Sequence, residues 1–260
     1  DYELPAELKD SSACHQLALL ASEISDFPRR QMLACVLLKL MHVINHLEAR
    51  SLLHATAISE SELELEVEQR LMKAGRGMRA AGLPIRDFYG NRKSRDSMIT
   101  KLLVKRDATA GDILDRVRFR IVTEERDDIV PVLGHLWQYV LPFNHVLPKE
   151  TVNNLVDLDR WLADHPSMAV LARRPRPDTP PQLQPRRINE FSGASYKILN
   201  IIIEVPLRLD TLPSQDYREF DPAQGRIVYV QAELQVVDRE TAYGNELGAN
   251  SHERYKQRQH

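Results

Sequence analysis

Cysteine is almost absent. Cys14 and Cys35 are the only two in 260 residues, which excludes a disulfide framework and provides no zinc-ligand spacing. A reducing cytosol is the simplest home for such a chain. Glycine is scarce, at 10 residues, and no glycine-rich phosphate loop is readable. No serine sits in a recognisable hydrolase elbow. An excess of one charge is also missing: 35 Lys and Arg against 37 Asp and Glu leave a net charge of −2. That argues against a general polyanion binder, though a local basic patch remains compatible with it. Long apolar runs are lacking too. Ala34 to Leu38, part of the uninterrupted run from Met32, is far short of a membrane span, so no membrane association is expected. The opening Asp-Tyr-Glu-Leu-Pro is acidic and does not read as a signal peptide.

What remains is an ordinary globular composition, 43% hydrophobic and 28% charged, with length for one large domain or two small ones. The N-terminal stretch reads as helix. From Gln31 onward, Leu33, Val36, Leu37, Leu40, Met41, Ile44 and Leu47 recur at three- and four-residue steps and form one apolar face. Asp26 and Pro28 suit its start. A capping box is readable at Ser61 and Glu64. The acidic helix it opens is expected to run to about Lys73, loosened by Gly75 and Gly77. Residues 1–85 thus read as a helical region without evident chemistry, and 86–260 as the working domain.

That second part changes character. Lys93 to Val104 is a basic helix candidate, and Asp115 to Thr123 alternates like a strand. Asp127 to Val140 is amphipathic and helical, and a further helix is expected over Thr151 to Ala163. Residues 173–187 hold five prolines and five arginines and read as a long loop. Two strands follow, Ile198 to Val205 and Arg226 to Val236, and a polar helix runs from Asp238. The fold class expected is α+β, a mixed β-sheet flanked by helices, with a helical N-terminal layer. Trp137 and Trp161 lie on amphipathic stretches and read as core. His42 and His46 have the i,i+4 spacing of a metal pair, but the H-E-x-x-H glutamate and a third ligand are not evident, so structural histidines are the better reading.

Phosphoryl or pyrophosphoryl transfer needs cations on the phosphates, a metal on one or two carboxylates, and an oriented acceptor. Lys93, Ser97 and Lys101 are four apart, so a helix places two ammonium groups and a hydroxyl on one face. Asp115 stands at the entry to one strand. Glu233 lies in the strand Val228 to Val236, where Gln231, Glu233 and Gln235 share a face opposite an apolar one. From neighbouring strands the two carboxylates could share a metal.

These residues resemble the RelA/SpoT synthetase family. Ala232-Glu233-Leu234-Gln235-Val236, followed by Glu246-Leu247-Gly248 and His252-Glu253-Arg254-Tyr255-Lys256, is similar to its closing E-I-Q-I-R strand and E-x-G-x-x-x-H-x-x-Y-K helix. Lys93-x3-Ser97-x3-Lys101 is similar to its ATP-binding helix, Asp115-x4-Arg120 to its D-x-x-G-x-R strand, and Tyr196 to the aromatic of its N-G-Y-x-S-x-H loop. The resemblance covers about residues 90–258. It implies a nucleotidyltransferase-like fold and Mg²⁺-dependent transfer of pyrophosphate from ATP to the 3′-hydroxyl of GDP or GTP, as in alarmone synthesis. By residue, it implies Lys93, Ser97 and Lys101 on the ATP side, Asp115 and Glu233 on Mg²⁺, and Glu233 also as base. Arg120 would face the phosphates and Tyr196 the acceptor base. Asn200, Glu246 and His252 would frame the acceptor side.

The departures fall on the acceptor side. Ala194 and Ser195 stand where the family has asparagine and glycine, Ile198 and Asn200 where it has serine and histidine, and Val237 where it has arginine. Arg118 replaces the glycine of the D-x-x-G-x-R strand. Loss of hydrogen-bond partners for a base changes selectivity sharply, so an adenine nucleotide or an RNA 3′ end becomes an eligible acceptor. The arginine-rich loop would then contact RNA phosphates. A catalytically silent nucleotide-binding regulator is the competing expectation, and a homo-oligomer is compatible with either.

Overall fold

The computed structural model describes residues 14–22, 28–55, 58–92, 96, 99, 103, 116–141, 145–165, 196–211 and 226–246. The chain divides into two units: Asp1–Ile58 with Pro206–Tyr229, and Ser59–Val205 with Val230–His260. The division expected near residue 85 therefore differs from the observed one. The helix after Ser59 groups with the sheet, not with the N-terminal helices.

In the first unit, α1 (Cys14–Ser22) packs against α2 (Pro28–Ala55). Pro28 opens α2, where its missing N–H is no loss. Leu17 and Ala34 are buried, with Leu20, Ala21, Leu33, Leu37, Leu38 and Met41 packed around them. Only part of the expected apolar face takes part. Val36, Leu40, Ile44 and Leu47 are exposed, as are Met32 and Val43. The helix is apolar on two sides, which a single-face reading cannot express. Its Arg29–Leu53 stretch contains an 18-residue window of mean hydropathy 1.4, long and apolar enough to cross a membrane by length and composition, and 11% of that window is buried. Uninterrupted runs alone do not express this. His42, Asn45 and His46 break the runs without making the stretch polar on average. His46 stacks on Tyr229 at 4.2 Å between ring centroids and meets His42 edge-on at 4.2 Å. Burial lowers its pKa, and Lys39 adds to the effect.

The second unit begins with α3 (Glu60–Ala80). Its capping box is Ser59 with Glu62, two residues upstream of the expected pair. Ser-x-x-Glu occurs twice here, and both registers suit the apolar stripe. Leu63, Val67, Leu71, Gly75 and Met78 form the buried stripe of α3. Gly75 does not loosen the helix, because a Cβ there would meet the Phe88 ring at 2.4 Å. The glycine is the close approach of α3 to the sheet.

The sheet holds β1 (Ile85–Arg92), β2 (Val117–Thr123), β3 (Val152–Asn153), β4 (Leu199–Arg208) and β5 (Ile227–Asp238), in the order β1-β2-β5-β4-β3. It is mixed: β1 and β3 pair antiparallel with β2 and β4, while β2 and β5 run parallel. Helices α4 (Ile129–Tyr139), α5 (Leu158–Asp164) and α6 (Arg239–Glu246) complete the described elements. The α+β class with a mixed sheet and flanking helices is thus observed. β1 had no counterpart in the sequence reading. The expected Thr151–Ala163 helix is instead the short β3 and then α5, which Asp157 caps by accepting from the Arg160 N–H at 3.1 Å. Trp137 and Trp161 are half-buried rather than core, because each belongs to a helix that keeps one side in solvent.

Registers fix the two faces of the sheet. Val117, Phe119 and Ile121 of β2 lie beside Ala232, Leu234 and Val236 of β5, and all six are fully or almost fully buried. The intervening residues, Arg118 and Arg120 with Glu233 and Gln235, share the opposite face.

At the end of β5, Asp238 caps α6. It accepts from the Thr241 N–H at 2.8 Å, the Thr241 hydroxyl at 2.6 Å and the Arg126 Nε at 3.3 Å. Burial works against the charged carboxylate, but Thr241 and Arg126 outweigh it and hold the pKa below the ordinary value. A depressed folded-state pKa stabilises above the unfolded value, about 3.9, and that stability is lost as pH falls through the lower folded value. Asp238→Asn keeps a capping side chain but removes the charge. It is expected to lower the urea midpoint at about pH 7, with the difference from wild type closing as pH falls through the lowered folded-state value. A constant gap across pH would refute the charge contribution.

Candidate active site

Glu233 is placed by the middle of β5 and is buried, 5% exposed. A buried carboxylate is costly unless it is paired. Here the Arg118 Nε donates to Oε2 at 2.5 Å and the Gln235 Nε2 donates to Oε1 at 3.2 Å. Arg118 reaches it because the parallel register sets the two residues side by side. Arg120, two residues on, lies beside Gln235 on the same face. Its Nε is buried with no hydrogen-bond partner among the described residues. Tyr89 of β1 stands across from Arg120 and is exposed.

Tyr196 joins this group from the segment before β4. Burial raises its phenol pKa, Glu233 and Tyr89 act in the same direction, and Arg120 and Arg118 oppose them. Its backbone is held by two asparagines. Asn154 donates to the Tyr196 carbonyl at 2.7 Å and accepts from the Ile198 N–H at 2.6 Å. Asn245 of α6 accepts from the Lys197 N–H at 3.2 Å and donates to its carbonyl at 2.7 Å. Asn245 is buried, so these bonds are shielded from water. Asn245→Ala is expected to cost about 1–3 kcal/mol by leaving the Lys197 groups unpaired. Urea unfolding of the variant beside the wild type measures it. An unchanged unfolding midpoint would show that these bonds do not hold the segment.

Of the residues named from sequence, Glu233, Arg120 and Tyr196 are brought together. Asn200 is on β4, paired with Val152 of β3, and its Oδ1 is buried with no hydrogen-bond partner among the described residues. Glu246 is exposed at the end of α6, and its neighbour Asn245 turns inward. Lys93, Ser97, Lys101, Asp115, His252 and the arginine-rich loop at 173–187 lie outside the described residues. Arg116, next to Asp115 in sequence, is paired with Glu60 and Glu64 of α3, which ties the start of β2 to that helix. The site members missed in the sequence were Tyr89, Asn154 and Asn245. Tyr89 needed β1 to be recognised, and a buried asparagine clamp has no spacing signature.

Magnesium is bound by one or two carboxylates together with substrate phosphates, and keeps several waters. Glu233 supplies one such carboxylate. Both oxygens already accept a hydrogen bond, yet each has a second lone pair, and the Arg118 side chain is 44% exposed and able to move. The donor set therefore suits a nucleotide-borne Mg²⁺, provided Arg118 yields.

No family model matches the chain, and no curated protein does. Solved structures do. Small alarmone synthetase 2 from Bacillus subtilis is 18% identical, with 76% of this chain and 82% of that one covered and a TM-score of 0.43. Small alarmone synthetase 1 from Bacillus subtilis, bound to its product pppGpp, is 14% identical, with 70% and 73% covered and a TM-score of 0.42. A GTP pyrophosphokinase family protein from Streptococcus pneumoniae is 12% identical, with 70% and 67% covered and a TM-score of 0.40.

Proposed function

We propose that this chain is a divergent RelA/SpoT-like synthetase, a nucleotide pyrophosphokinase that moves the β,γ-pyrophosphate of ATP to the 3′-hydroxyl of a second nucleotide. The observation that carries this reading is the group of Arg118, Arg120, Glu233, Gln235 and Tyr196 on one side of the second unit's sheet. Two permanent cations, one buried carboxylate and one held aromatic are the chemistry that the reaction requires.

In the proposed reaction the acceptor 3′-oxygen attacks the β-phosphorus. The bond from that phosphorus to the bridging oxygen of the α-phosphate breaks, and AMP leaves. The hydroxyl proton passes to the Glu233 carboxylate. Arg120 donates to the transferring phosphates, and its buried Nε has a donor to spend there. Tyr196 offers its ring to the acceptor base. Lys93, Ser97 and Lys101 are assigned to the ATP phosphates, Asp115 to the metal with Glu233, and His252, Glu246 and Asn200 to the acceptor side. Magnesium, when bound with the nucleotide, neutralises phosphate charge. The acceptor is left between guanine nucleotides, adenine nucleotides and an RNA 3′ end, because the loop before Tyr196 lacks the family's residues.

One observation favours a second reading, a nucleotide sensor without turnover: both oxygens of Glu233 are already engaged. Thermal-shift series with ATP, ADP, GTP and GDP, with and without Mg²⁺, alongside AMP release, separate the two. Stabilisation by ATP with AMP formation supports the enzyme. Stabilisation without AMP supports the sensor. Incubation of γ-labelled ATP with bulk tRNA tests the RNA acceptor.

A further inference from the structure

The Arg118–Glu233 pair is asymmetric. Glu233 is fixed by its strand and nearly sealed, its side chain 7% exposed, whereas the Arg118 side chain is 44% exposed. A buried carboxylate requires a cation beside it, and here a protein side chain supplies one. Guanidinium does not lose its proton in proteins. Arg118 therefore leaves Glu233 still charged, and a polyphosphate is the anion it is best shaped to receive, through paired N–H donors. Arg118 and Arg120 project from alternate positions of one strand, on the same face. A phosphate chain held by Arg120 is within the span of one strand repeat from Arg118.

We propose that Arg118 is the resident counter-ion of Glu233. It keeps the carboxylate closed to a bare divalent cation and releases it when the cation arrives with a polyphosphate that takes the guanidinium. The inference rests on the reading that this site accepts a metal–polyphosphate. A bare cation would leave two positive charges beside each other, and a metal-free nucleotide would strip Glu233 of its cation without replacing it. Either half of the exchange alone is unfavourable, and the two together conserve charge at both partners. Arg118 acts through Glu233 and is a positioning residue, not the group that takes the proton.

The test measures Mn²⁺ binding to the full chain by electron paramagnetic resonance, with and without α,β-methylene ATP, in which the bond to be broken is blocked. Wild type is expected to bind Mn²⁺ weakly alone and much more tightly with the analogue. Arg118→Met is expected to bind bare Mn²⁺ tighter by about tenfold or more, since a unit charge beside the carboxylate has been removed. Its extra gain with the analogue should shrink in proportion. Arg118→Lys should restore the wild-type pattern, and R118M/E233Q should lose the gain. Arg118→Gln, which keeps a hydrogen-bond donor but no charge, should behave like Arg118→Met and stands in for it if that variant folds poorly. Equal Mn²⁺ affinity in wild type, Arg118→Met and Arg118→Gln overturns the proposal, even if the wild type forms AMP. The reverse result, a Mn²⁺ gain in a chain that never forms AMP, keeps the counter-ion role and removes the enzymatic reading.

Discussion

Glu233→Gln is expected to abolish pyrophosphate transfer while the chain stays folded. Glutamine is nearly isosteric, and its carbonyl can still accept from the Arg118 Nε that now donates to Glu233. What disappears is the negative charge, and with it both the proton acceptor and one carboxylate for a nucleotide-borne metal. Losing a general base alone costs about 10²–10⁴ in rate, and loss of the metal ligand falls on the same atom. Stability should change little, within about 1 kcal/mol, because the half-exposed Arg118 can turn to water when its partner is neutralised. AMP release and the thermal midpoint, measured on one preparation, check both parts. Wild-type turnover in this variant would exclude Glu233 from the chemistry.

Phe119→Ala is expected to have the largest effect on stability, about 3–5 kcal/mol, a large part of the 5–15 kcal/mol of a typical domain. The ring is fully buried at the centre of β2. It lies 5.9 Å from the Phe88 ring and fills the space left by Gly90, where a Cβ would stand 2.7 Å from it. Gly90→Ala alone should therefore overpack the core by about 1–3 kcal/mol. In Phe119→Ala the added methyl enters the cavity instead, so the two changes should be less than additive. Guanidinium unfolding of the four proteins of this cycle measures the coupling. Strict additivity would show that the two side chains do not share that space. Phe119 also separates Arg118 from Arg120 in the strand, so its loss should blunt nucleotide binding as well as stability.

Both predictions depend on elements that differed in how well they could be read. β2, β4 and β5 are rich in β-branched residues and were legible, as was the switch into a helix at Asp238. Glu233 stood out as an acid in an apolar strand. β1, by contrast, reads Ile-Arg-Asp-Phe-Tyr-Gly-Asn-Arg, with no alternation and two turn-prone residues near its end. It is a strand because β2 pairs with it and α3 covers Phe88, and those causes are tertiary. The same holds for Gly75, which looks like a helix breaker in sequence and is a contact in space. Ser59 and Ser61 offered equivalent caps, and local sequence could not separate them. The site was legible where chemistry is concentrated in one residue, at Glu233, Arg120 and Tyr196. It was not legible where the role is to hold backbone, at Asn154 and Asn245, because an asparagine in that role has no characteristic neighbours in sequence. Arg118 was visible as a departure from the family's glycine. Only the parallel register shows that it meets Glu233.

The central claim is pyrophosphate transfer. It is tested most directly by mass spectrometry of the products after the full chain is incubated with ATP, Mg²⁺ and a panel of GDP, GTP, ADP and tRNA. AMP is expected, together with an equal amount of one acceptor carrying a diphosphate on its 3′-oxygen, and neither product with Glu233→Gln. ADP with inorganic phosphate, or unchanged ATP in the presence of every acceptor, would contradict it.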